Sequence, residues 1–110
     1  MAKYEFGIME QPTQAGRRYD DYDPRNYPRL AVISDDALDL VLPRLGDLPC
    51  YWHTLDWAAR GIAETGINLI PPESLPQMLR EFPAEEEFLP LAELLSAAEE
   101  EGKFVILFGL

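Results

Sequence analysis

His53 is the only imidazole in the chain, and Cys50, three residues before it, is the only thiol. A neutral imidazole can accept a proton near neutral pH, and beside a thiol it can generate a nucleophile. Asp56 follows three residues later, with Trp52, Thr54 and Trp57 close in sequence. If residues 50–55 form a strand, Cys50, Trp52 and Thr54 share one face while Tyr51, His53 and Leu55 share the other. The thiol and the imidazole then point apart, and Asp56 reaches His53 only if the strand ends between them. The spacing therefore predicts a structural histidine and a buried, apolar cysteine. No catalytic residue is assigned.

A second group lies in the segment Arg17-Arg18-Tyr19-Asp20-Asp21-Tyr22-Asp23-Pro24-Arg25-Asn26-Tyr27, where three tyrosines, three aspartates and three arginines fall within eleven residues. Tyrosine and arginine are enriched where proteins meet, so Tyr19, Asp20, Tyr22 and Tyr27 are candidates for a recognition surface. The competing reading has the tyrosines packed down on a sheet while Arg–Asp pairs neutralise each other. The aspartates lack the spacing of a calcium loop, which also needs a central Gly and a terminal Glu. A third group is acidic: Glu85, Glu86, Glu87, Glu93, Glu99, Glu100 and Glu101. Negative charge at a helix C-terminus opposes the helix dipole by roughly 0.3–1 kcal/mol per exposed group. The last three glutamates are therefore expected to serve a partner or simply solvation.

Charge and composition exclude several classes. The net charge is -11, from nine basic and twenty acidic residues. Residues 1–34 balance at five against five, residues 35–80 carry net -4, and residues 81–110 carry net -7. Such a field repels nucleic acid and favours a basic protein partner. One cysteine and one histidine give no disulfide and no zinc set, and no metal or cofactor is expected. The first ten residues include Glu5 and Glu10 and lack the apolar core of a signal peptide. No apolar run approaches the ~20 residues that span a bilayer. A cytoplasmic, bacterial-type protein with no membrane contact is the expectation, complete at Leu110.

At 110 residues one domain is expected, able to bury a core without staples. Period-two alternation predicts a strand over 3–8, and Leu30–Ile33 reads as a short buried strand. Between them, about 10–28 is a long polar connection with Pro12, Gly16, Pro24 and Pro28. Ser34 is an N-cap for a helix carrying Asp35 and Asp36 in its first turn, stopped by Pro43. Residues 50–55 and 65–70 read as strands, joined by an ordered loop holding Trp57, Arg60 and Gly61. Ser74-Leu75-Pro76-Gln77 fits a capping box, opening a helix that Pro83 closes. A further helix begins near Leu89 with the stripe Leu91, Leu94, Leu95 and Ala98, and stops at Gly102. Residues 104–108 are apolar throughout, as in a strand covered on both faces. The expected fold is α+β: one mixed or antiparallel sheet of about four to five strands with three helices packed on it.

Lys3–Met9, Tyr51–Leu55, Gly66–Leu75 and Lys103–Leu110 together resemble a family of short bacterial proteins without an assigned function. The matching motifs are strands, a turn and a helix cap, so the resemblance implies a fold and no activity. Two functions are carried forward. The first is a non-enzymatic acidic interaction protein, an immunity-type or regulatory partner of a basic protein. The alternative is a small-molecule-binding domain or minor enzyme with a pocket around Tyr51, Trp52, His53 and Trp57.

Overall fold

Each apolar run finds its neighbours in one sheet. The computed structural model describes residues 3–63 and 65–109. Its strands are β1 (Lys3–Ile8), β2 (Leu30–Ser34), β3 (Pro49–Trp52), β4 (Ala58–Arg60), β5 (Ile67–Ile70) and β6 (Val105–Phe108). They lie in the order β2-β1-β6-β5-β3-β4, with every neighbouring pair antiparallel. Three helices, α1 (Asp35–Asp39), α2 (Leu75–Arg80) and α3 (Leu89–Glu101), complete a single α+β domain. Among the described residues no helix is long and apolar enough to cross a membrane.

Among the described residues the sheet has six strands rather than four to five. The added one is β4, inside the segment expected to be a loop. Its sequence, Ala-Ala-Arg, carries no β-branched or aromatic signal, and it is held by pairing with β3 through Cys50 opposite Ala59 and Tyr51 opposite Ala58. β3 is shorter than the predicted 50–55. It ends at Trp52 because His53 has φ 64°, a left-handed conformation that leaves the extended region and starts the turn toward β4.

β6 lies between β1 and β5, and Val105 to Phe108 are each at most 1% exposed. Its alternate residues serve two cores, as period-two geometry requires. Val105 and Leu107 join Tyr4, Phe6, Ile8 and the helices, while Ile106 and Phe108 join Met9, Tyr19, Ile67 and Leu69 on the opposite face. Leu110, where the domain is expected to be complete, lies outside the described residues.

The helix signals hold at most ends. The Ala37 N–H donates to the Ser34 hydroxyl at 3.2 Å, and α1 stops before Pro43, which sits in a 3-10 turn over Leu42–Leu45. Leu91, Leu94, Leu95 and Ala98 are the buried stripe of α3, and Gly102 ends it with φ 67°. The capping box at Ser74 does not form. That hydroxyl donates instead to the Pro49 carbonyl at 2.6 Å, tying the entry of α2 to β3. A non-local acceptor won over the local one.

Candidate functional site

The turn after β3 gathers the chemistry-bearing residues, but not in the expected combination. His53 Nδ1 lies 2.8 Å from Asp20 Oδ1 and 3.2 Å from the Tyr19 carbonyl. Its Nε2 receives the Ile67 N–H at 3.3 Å. Both groups facing Nδ1 are acceptors and the one facing Nε2 is a donor, so the proton of the neutral ring sits on Nδ1. The backbone repeats the tie: the His53 N–H donates to the Ile67 carbonyl at 2.9 Å, and the Tyr19 N–H donates to the His53 carbonyl at 2.7 Å. A general base must present a free ring nitrogen to its substrate. Here the lone pair is spent on β5.

The imidazole is therefore a fastener between β3, β5 and the long connection. Asp20, its carboxylate partner, is held below the ordinary aspartate range chiefly by its bond to Arg18, with His53 adding to the effect. Arg18 donates to Asp20 at 2.9 Å and its backbone bridges Thr54. Asp56 is not the partner; its N–H donates to the Thr54 hydroxyl at 3.3 Å instead. Gly66 closes the site from above. It has φ 81°, and a Cβ there would lie 2.8 Å from both His53 Nε2 and Trp52 Nε1. Only a residue without a side chain fits that approach.

Cys50 faces the helical core, 2% exposed, and donates weakly to the Gly61 carbonyl at 3.3 Å. Burial pushes its thiol up from the ordinary range, the wrong direction for a nucleophile. The Asn68 amide lies 3.7 Å from the same sulfur, and its carbonyl accepts the Ala63 N–H at 3.1 Å.

The three loop tyrosines separate. Tyr19 is buried in the second core, with the Arg17 guanidinium 4.8 Å from its ring centre. Tyr27 packs on the same core, edge-on to Phe108 at 5.7 Å, and burial raises its phenol. Tyr22 is 64% exposed, yet its ring meets Phe108 and its hydroxyl donates to Glu5. The connection is thus the cover of the sheet's second face. Tyr22 alone of the three keeps most of its surface free.

Of the aromatic group around β3, Tyr51 lines an open groove of about 600 Å³ with Arg60, Glu73 and Gln77. Trp52 and Trp57, in edge-to-face contact at 4.7 Å, border a neighbouring hollow of about 410 Å³. His53 lines neither. The four residues do not converge on one cavity.

The acidic surface also divides. Glu101 belongs with Glu10, Arg29 and Lys103 to a closed ring of ion pairs. Arg29 bridges Glu10 and Glu101 at 2.7 Å each, and Lys103 bridges the same two at 2.6 and 2.9 Å. The bond to Arg29 is the main cause that holds both carboxyls down to about 2. Glu101 is thus offset internally, and the dipole cost assigned to it from sequence does not signal a partner. No other acidic residue of α3 or of the turn before it has such a cation among the described residues. The Ser34 hydroxyl lies 3.5 Å from a Glu87 carboxylate oxygen, so the acidic entries of α1 and α3 adjoin. Among the described residues no cluster of three or more His, Cys, Asp or Glu is arranged to hold a metal ion.

No family model, curated protein or solved structure matches the chain.

Proposed function

We propose that the protein is a non-enzymatic binding partner of a basic protein, of the immunity or regulatory type, and that its helical layer makes the contact. The observation that carries this reading is the distribution of uncompensated carboxylates. Asp35, Asp36, Asp39, Glu85, Glu86, Glu87, Glu93, Glu99 and Glu100 lie on or beside α1 and α3, and none has a cation within 4.0 Å among the described residues. A field of one sign steers an oppositely charged partner and repels nucleic acid. The two side chains best suited to covalent or acid–base work, Cys50 and His53, are both committed to internal bonds. A cytoplasmic setting fits a lone cysteine kept as a buried free thiol. The small-molecule alternative loses support because His53 borders neither hollow beside Tyr51, Trp52 and Trp57.

The test is kinetic. A partner captured from native extract and purified should bind with an on-rate that falls at least tenfold between 0.1 and 1 M salt, as the Debye length shrinks from ~10 to ~3 Å. The combined change Asp36→Asn, Glu86→Gln, Glu87→Gln and Glu93→Gln should slow association while leaving dissociation nearly unchanged. An on-rate indifferent to both would leave the carboxylates a purely solvating role.

A further inference from the structure

We infer that the free edge of β2 is a self-association surface, through which two copies of this chain join their sheets antiparallel about Val32. Among the described residues β2 ends the sheet on one side. The Ile8 N–H donates to the Arg29 carbonyl at 3.2 Å, and the register continues with Phe6 opposite Ala31 and Tyr4 opposite Ile33. In an antiparallel ladder, residues that bond inward alternate with residues that bond outward. Arg29, Ala31 and Ile33 therefore spend their backbone groups on β1, and Leu30 and Val32 turn theirs to the open side. The other flank of β1 agrees: the Met9 N–H bonds the Phe104 carbonyl at 2.9 Å, so the odd-numbered residues of β1 face β6.

The side chains along this edge are apolar and uncovered. Val32 is 49% exposed and Leu30 38%. Natural sheets blunt exposed edges with lysine, proline, bulges or very short strands. The opposite edge, β4, is three residues long, whereas Leu-Ala-Val-Ile-Ser has none of these devices.

The chain itself favours a second copy as occupant over a basic segment. Residues 1–34 carry equal numbers of acidic and basic groups, and the whole net charge of -11 resides in residues 35–110. A basic strand gains little at a balanced edge, while two copies meeting there avoid the bulk of their mutual repulsion. Two-fold pairing sets Val32 against Val32 at the axis and Leu30 against Ser34 on either side. An isologous contact needs this self-complementarity.

Sedimentation of the full chain from micromolar to millimolar concentration tests the inference. The mass should rise from 12.5 kDa toward twice that value. The Val32 amide, open to solvent in the monomer, should become protected from hydrogen exchange over the same range. Val32→Pro deletes the bond across the axis, and Val32→Lys faces two like charges there; each should raise the dissociation constant at least tenfold. If Val32→Pro does not fold, Val32→Lys, at an exposed position, keeps the test. High salt should leave this association intact, in contrast to the acidic contact proposed above, so the two readings fail separately. A monomer at every concentration overturns the inference, as does a dimer that Val32→Lys leaves unchanged. Protection of Val32 that appears only on adding a different protein also overturns it, by giving the edge to that protein.

Discussion

Replacing Gly66 by alanine is the sharpest probe of the His53 junction. The substitution carries two separable costs. The first is conformational: at φ 81° an L-residue is disfavoured by roughly 1–2 kcal/mol. The second is steric, since the new Cβ would sit 2.8 Å from His53 Nε2 and Trp52 Nε1 and 3.2 Å from Trp52 Cε2. Relieving that overlap moves two packed rings, at about 1–3 kcal/mol for overpacking. If the imidazole retreats, the Ile67 N–H loses its acceptor, which costs a further ~1–3 kcal/mol for a buried donor. Gly102 supplies the control. It has φ 67°, but a Cβ added there would have no neighbour within 4 Å, so Gly102→Ala meets only the conformational cost. Urea unfolding of both variants should place Gly66→Ala at least ~2 kcal/mol below Gly102→Ala. Exchange of the Ile67 amide should quicken only in the former. Equal losses, within ~0.5 kcal/mol, would refute the idea that His53 is clamped between Gly66 and the long connection.

Three further outcomes follow from named contacts. Glu10 and Glu101 have folded pKa values of about 2 against an ordinary 4.5, so their stabilisation is full above 4.5 and is lost as pH falls from 4.5 toward 2. Urea midpoints measured across that window should drop for the natural chain and drop less for Arg29→Met, which removes the chief cause of both shifts. Nitrogen chemical shifts of the His53 ring at pH 8 should show a protonated Nδ1 and a bare Nε2; the opposite tautomer would undo the assignment of Ile67 as its donor. Deleting residues 104–110 removes four side chains that are at most 1% exposed, worth about 6–12 kcal/mol in buried apolar surface. That matches the usual total stability of ~5–15 kcal/mol, so calorimetry should find no cooperative transition in the truncated chain.

Much of the fold was legible because its signals are local. The alternation in β1, the unbroken apolar run of β6, the Ser34 cap and the stripe of α3 each need only neighbouring residues to be read. β4 escaped because three residues of Ala-Ala-Arg carry no periodicity; its strand character comes from β3 alongside. The end of β3 escaped for a related reason. Left-handed backbone at a non-glycine is uncommon, and the bonds that hold His53 there come from Tyr19, Asp20 and Ile67, far away in sequence. The Asp20 partnership spans thirty-three residues, beyond any spacing rule. Tyr19 and Tyr27 follow the packed reading of the loop, but composition alone could not separate them from Tyr22, because side-chain chemistry is the same in all three.

The ring of Glu10, Arg29, Glu101 and Lys103 explains how so acidic a chain keeps its cover in place. Glu10 opens the long connection and Arg29 closes it, while Glu101 ends α3 and Lys103 leads into β6. The four charges cancel among themselves. Individually, exposed ion pairs contribute ~1 kcal/mol or less, but a closed network whose members each meet two partners fixes geometry better than isolated pairs. The connection is thereby pinned at both ends by charge and near its middle by His53, and its tyrosines supply the apolar seal between. Cations spent there are not available to the helical layer, where the carboxylates stay uncompensated. The same allocation that orders one face of the sheet leaves the other with its field directed outward.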